Sequence, residues 1–163
     1  MELEQLGTAV GALLKERGQT VAVAESSAGG VIAAALLAVP GASAYFKGGG
    51  VVYTGDAKRI LMAVPHDDMA AARAATEAHS IHLARSARQR LDADWGVGET
   101  GAAGPTGNRY GDEAGHSCIG VAGPVERAVT VATGDQDREA NMWAFARAAL
   151  RLLEECIGGQ DRP

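Results

Sequence analysis

Val21–Gly30 reads VAVAESSAGG, and the fold turns on how that stretch is divided. Four small apolar residues, Val21–Ala24, have the length and β-branching of a short buried strand, and Val31–Ala38 has the composition of a helix. Glu25, Ser26, Ser27, Ala28, Gly29 and Gly30 then form a strand-to-helix corner. The first N–H groups of a helix have no partner within it, and the helix dipole adds positive potential there. A serine hydroxyl at such a corner has two readings. It either caps the helix, or it is a nucleophile with an oxyanion or phosphate site beside it.

Outward from this corner, helical and strand patterns alternate. Leu3, Leu6, Val10 and Leu13 share helical spacing, and Gly18 closes that helix before the first strand. The second helix stops near Pro40–Gly41, and Gly48–Gly50 lead into a strand, Val51–Tyr53. A short helix is expected around Asp56–Met62. Thr76 caps a longer one with Ile81, Ala84, Ala87 and Leu91 on one face. Trp95–Glu99, His116–Ala122 and Ala128–Thr133 read as strands, with a long loop at Thr100–Gly115 and a turn at Gly123–Pro124. That turn is too short for a crossover, so the last two strands pair antiparallel. The final helix begins near Asp135–Asp137 and carries Trp143, Ala146, Leu150, Leu153 and Ile157 as one stripe. These elements specify an α/β protein, a three-layer α/β/α sandwich on a mixed, mostly parallel sheet. A single domain over residues 1–163 is expected, with 158–163 as a frayed tail.

Composition removes several function classes. The net charge of −5 provides no basic field for a nucleic-acid backbone. The most apolar run, Val31–Pro40, is about half the length of a membrane span. The start lacks the charged and apolar regions of a signal peptide. Cys118 and Cys156 have no CxxC spacing, and reduced thiols fit a cytoplasmic protein. The Gly-rich loops match neither a P-loop nor GxGxxG, so no nucleotide cofactor is expected.

Lys58 follows the apolar run Val51–Tyr53 and the turn Thr54–Gly55. It is either a surface lysine opening a helix or a desolvated amine able to deprotonate a serine. Any Ser26–Lys58 pair must form through the fold, because no local SxxK pattern is present. His79 and His82 lie three apart, but no Glu-x-x-His motif accompanies them, so no metal is expected. A Ser-His-Asp arrangement using His116 is the weaker mechanism, since there is no Gly-x-Ser-x-Gly elbow.

Three separated stretches carry a family resemblance: AESSAGG (24–30), VPGASAYFKGGGVVYTGDAK (39–58) and TGAAGPTG (100–107). Together they resemble the CinA C-terminal domain family, which includes stand-alone nicotinamide mononucleotide deamidases. Larger two-domain members carry an additional N-terminal domain. The resemblance implies a metal-independent, cofactor-free amidase that releases ammonia from a mononucleotide, and commonly a homo-oligomer. It implies Ser26 as nucleophile, Lys58 as its activating base and Tyr53 as a polar catalytic neighbour. Ser27, Gly29, Gly30, Ser43, Thr100 and Gly101 fall at substrate-binding positions, and Arg138 at that of a phosphate-holding arginine. Arg138 alternatively pairs with Asp135 or Asp137 at the surface.

The chain departs from the family pattern close to these residues. Ser27 and Ala28 stand where Cys-Thr is common, and Gly55 replaces an asparagine. Glu99 replaces an apolar residue, and Asn108–Gly115 rebuilds a Gly-rich loop. The departures fit either altered substrate preference or a mononucleotide-binding module that has lost catalysis.

Overall fold

A computed structural model describes residues 2–159 of the 163. Its elements in chain order are α1 (Leu3–Arg17), β1 (Val21–Glu25), α2 (Val31–Leu37), a 3-10 turn (Ala42–Ala44), β2 (Phe46–Val51), α3 (Gly55–Ile60), α4 (His66–Ala71), α5 (Glu77–Arg90), β3 (Trp95–Ala102), β4 (His116–Ala122), β5 (Arg127–Ala132) and α6 (Arg138–Gly158). The sheet order is β2-β1-β3-β4-β5. β1 pairs parallel with both β2 and β3, whereas β3–β4 and β4–β5 are antiparallel, so β4 alone runs against the others. This is the α/β/α sandwich on a mixed sheet that the alternation specifies.

Strand alternation divides the core into two layers. Val21, Val23, Trp95, Val97, Ile119 and Val121 face α1, α2 and α6. Ala22 and Ala24 face the opposite side, with Leu83 and Ala87 of α5. On that side Gly96, Gly98 and Gly120 form a strip without side chains. A Cβ on Gly98 would stand 2.1 Å from the Ser80 carbonyl oxygen, and one on Gly96 would stand 1.9 Å from that of Ala84. α5 therefore lies directly on the sheet backbone, which fixes the height of every side chain it carries.

Several boundaries differ from the sequence reading. β2 begins at Phe46 and includes Gly48–Gly50. A Cβ on Gly49 would meet the Val23 carbonyl oxygen at 2.7 Å, so glycine is what lets β2 close on β1. β3 extends three residues past Glu99, because Thr100–Ala102 continue the ladder with β4. Trp143 is 43 % exposed rather than part of the buried stripe of α6. Gly158 ends α6 and Gly159 caps it instead of fraying, while the rest of the expected tail, 160–163, lies outside the described residues.

Candidate active site

Three parallel strands, β1, β2 and β3, end side by side, and the segments leaving them assemble the site. Ser26 follows β1, Tyr53 and Lys58 follow β2, and Glu99 and Thr100 lie in the last turns of the β3 ladder. Clefts at the carboxyl ends of parallel strands are the usual place for a ligand in an open α/β sheet.

The corner after β1 is built differently from the expectation of free donors. Neither serine caps α2, whose N-cap is Gly30 at φ 99° with no side-chain hydrogen bond. The Glu25 carboxylate does that work, accepting from Ile32 N (3.1 Å) and Ala33 N (2.9 Å). Burial raises the Glu25 carboxyl above its ordinary range against the lowering effect of these backbone donors, and the neighbouring Glu99 charge adds to the rise. Glu99 lies beside Glu25 in strand register and takes the remaining donors. Its Oε1 accepts from Ser26 N (3.1 Å) and Ala28 N (2.7 Å), and its Oε2 from the Ser27 and Ser117 hydroxyls. A fully buried carboxylate thus occupies the hydrogen-bond positions that an oxyanion would use. Ser27 is held as a donor to Glu99 rather than aimed at the cleft.

Lys58 is on the last turns of α3 and only 4 % exposed, which excludes the surface-lysine reading. Its Nζ lies 2.9 Å from His79 Nε2, and His79 Nδ1 lies 2.9 Å from the Ala72 carbonyl oxygen. A carbonyl only accepts, so Nδ1 carries the proton, Nε2 is the acceptor and Lys58 is the donor. Burial lowers the Lys58 pKa, opposed by attraction to Glu99. Burial and the facing ammonium push His79 down to about 4. No motif marks this histidine's role; it is the structure that buries it on α5, after the Thr76 cap.

Ser26 is 6 % exposed, at the same end of the sheet as Lys58. Among the described residues, no hydrogen bond joins its hydroxyl to the amine. Thr100 turns its hydroxyl to Ala75 N (2.9 Å), anchoring the loop ahead of α5. Gly101 backs onto β4, where a Cβ would meet the His116 carbonyl oxygen at 2.4 Å. Gly29, at φ 65°, turns the corner under Met142 of α6. Arg138 is the first residue of α6 and bonds neither Asp135 nor Asp137. It donates to the Gly104 carbonyl (2.6 Å) and to the Tyr53 hydroxyl (3.2 Å), making an exposed cationic rim. Ser43 is not brought here. It sits in the 3-10 turn before β2, at the amino end of the strands, about 16 Å away at the rise of five strand residues. His116 Nε2 donates to the Ala75 carbonyl oxygen (2.9 Å) and stands 3.7 Å from Asp112 Oδ2. No cluster of three or more metal-ligating side chains occurs among the described residues.

The sequence profile of the CinA C-terminal domain matches residues 3–157. The chain belongs to the CinA C-terminal domain family. A CinA-like protein of Synechocystis sp. is 36 % identical over 93 % of this chain, and one of Gloeobacter violaceus is 42 % identical over 94 %. The chain spans only about a third of the length of these relatives, 36 % and 37 %. Among solved structures, a CinA superfamily protein from Klebsiella pneumoniae superposes with a TM-score of 0.90 at 28 % identity, covering 97 % of this chain and 99 % of that one. The competence/damage-inducible protein CihA from Agrobacterium tumefaciens gives 0.88 at 29 % identity, with 97 % and 96 % covered. CinA-type membership thus rests on sequence and fold together. Among the described residues, no helix is long and apolar enough to cross a membrane.

Proposed function

We propose that this CinA-family chain is an amide hydrolase that releases ammonia from a nucleotide carboxamide such as nicotinamide mononucleotide, with Ser26 as nucleophile and Lys58 as its base. The observation that carries the reading is the buried Lys58 amine, its pKa lowered, at the strand ends where the Ser26 corner also lies. A neutral amine takes the Ser26 proton as Oγ attacks the carboxamide carbon. The resulting ammonium returns that proton to the leaving nitrogen as the C–N bond breaks, giving ammonia and an acyl-serine. Water, deprotonated by the same amine, then opens the ester to the carboxylate and restores Ser26. Arg138 and Tyr53 on the rim meet the substrate phosphate, where the start of α6 also favours an anion. Assembly as a homo-oligomer in the cytoplasm accompanies this reading, and sedimentation at micromolar concentration tests the assembly.

Glu99 favours a second reading. With its carboxylate on Ser26 N and Ala28 N, the corner already holds an anion, which suits a module that binds a mononucleotide without turnover. One experiment separates the two. Pure protein is incubated with nicotinamide mononucleotide while ammonia and binding are followed in parallel. Ammonia release that disappears in both Ser26→Ala and Lys58→Ala supports the amidase. Binding with no ammonia from the wild type supports the module, and a full-rate Ser26→Ala variant rules out the serine mechanism.

A further inference from the structure

We infer that His79 is a positioning residue: it accepts one N–H of Lys58 and thereby aims the amine's lone pair along the cleft toward the Ser26 corner. The inference rests on the Ser26–Lys58 reading above, but it makes a claim about the amine that stands apart from turnover. Two distances carry it. The imidazole bridges Lys58 Nζ and the Ala72 carbonyl at 2.9 Å each, and the ring is 2 % exposed.

A neutral amine on a lysine has two N–H bonds and one lone pair, and it rotates freely about Cε–Nζ. An acceptor fixed on one side takes one N–H and removes most of that freedom. The Ala72 carbonyl holds the ring in the tautomer whose Nε2 accepts. α5 itself rests on the glycine strip of β3, so the acceptor's position is tied to the sheet that also places Ser26 and Glu99. The imidazole is no proton relay at neutral pH, since a ring that titrates near 4 stays neutral beside the amine.

The charged and titratable groups around the pair come from each surrounding element. α3 supplies Lys58, β3 supplies Glu99 and α5 supplies His82. Asp68 of α4 approaches His82 at 3.4 Å, and Glu25 of β1 lies beside Glu99 in strand register. Only His79 touches the amine by hydrogen bond among the described residues. Because an acceptor binds the ammonium more strongly than the amine, removing it disfavours the charged form. Loss of His79 therefore produces an amine that is more often neutral yet less well aimed. A purely packing role for the ring predicts neither effect.

The test uses the three lysines of the chain, Lys15, Lys47 and Lys58, labelled with 13C and titrated by NMR, with Lys58 assigned through Lys58→Met. In the wild type the Lys58 signal titrates below the ordinary value of a lysine side chain. In His79→Leu it moves lower still, by about one pH unit. In His79→Gln, whose amide oxygen accepts, it returns toward the wild-type midpoint. With nicotinamide mononucleotide as substrate, kcat in His79→Leu falls about ten-fold or more with KM unchanged. The acid limb of the pH–rate profile follows the NMR midpoint downward, and His79→Gln recovers most of the rate. An unchanged Lys58 midpoint and acid limb in His79→Leu would overturn the inference. Should that variant fail to fold, the reciprocal titration decides: in Lys58→Met, the His79 imidazole midpoint rises from about 4, and a stationary midpoint overturns the pairing. A shifted Lys58 midpoint in a protein that releases no ammonia sustains the coupling of the two side chains and defeats the amidase reading alone.

Discussion

Glu99 places a carboxylate where neither composition nor spacing calls for one, and its surroundings explain how it is tolerated. Two backbone N–H groups and two hydroxyls donate to it, which is the dense donor set a buried carboxylate requires. Removing the acceptor while leaving the donors is the costly change. Glu99→Val strands Ser26 N, Ala28 N and the Ser27 hydroxyl, and a stability loss of about 3 kcal/mol is expected by urea denaturation. Glu99→Gln keeps an oxygen for the backbone donors. Ser117 has the Thr100 carbonyl as an alternative acceptor at 3.3 Å, so the loss there is about 1 kcal/mol. A Glu99→Val protein as stable as Glu99→Gln would show that the carboxylate is not holding the corner. The same pair of variants bears on turnover. If Glu99 blocks an oxyanion site, folded Glu99→Val releases ammonia faster than the wild type; a rate unchanged or lower removes the blocking argument.

At the scale of elements, what matters is how closely α5 seats on β3 and β4. Gly98→Ala drives a methyl into the Ser80 carbonyl, the Ala84 amide (2.7 Å) and the Leu83 side chain (2.8 Å). The first two are backbone atoms, so the helix itself must shift. A loss of about 3 kcal/mol is expected, together with displacement of His79 from Lys58. Gly18→Ala offers the contrast. Its φ of 63° strains an alanine by about 1 kcal/mol, but nothing lies within 4 Å, so the site is untouched. Thermal unfolding of both variants, with 13C-lysine spectra of each, checks the difference; a Gly98→Ala protein with wild-type stability and Lys58 shift would refute the seating argument.

Elements are also where the sequence was most readable. Caps at Gly18 and Thr76, the turn at Gly123–Pro124 and the periodicity of α1 are local signals that appear where their chemistry puts them, and the stripe of α6 holds at Ala146, Leu150, Leu153 and Ile157 though not at Trp143. β2 was harder, because a strand made of three glycines carries no apolar alternation. The need for those glycines comes from β1, a partner distant in sequence. α4 left no signal, as HDDMAA contains no fully buried residue and only Met69 packs on the core. The site divided along the same line. Ser26, Lys58, Tyr53 and Arg138 lie in or beside recognisable motifs and gather at one end of the sheet. The hydrogen-bond roles of Glu99 and His79 depend on residues 71–73 and 21 positions away, respectively, and no spacing rule reaches so far. Ser43 emerges at the other end of the strands, since a motif fixes order along the chain but not the end of the sheet at which a residue emerges.

For the whole molecule, burying His79 has a consequence for stability in acid. The unfolded imidazole titrates at its ordinary value of 6.5, whereas in the fold it titrates at about 4. Between those values the unfolded chain holds a proton that the folded one lacks, so lowering the pH favours unfolding. The loss begins as pH falls through about 6.5 and is complete near 4, below which both states are protonated. A displacement of that size corresponds to about 3 kcal/mol. Glu25 acts in the opposite sense over part of the same interval. Its carboxyl is raised above 4.5, so the folded state retains a proton there, and stability falls as pH rises through that stretch. The wild-type profile sums the two, and a comparison is needed to isolate the histidine. Urea unfolding at pH 7 and pH 4 should show the wild type losing about 3 kcal/mol more than His79→Leu over that interval, while Glu25 contributes alike to both. Parallel pH profiles for the two proteins would mean that His79 ionises freely in the fold, contrary to its 2 % exposure and its bond to Lys58.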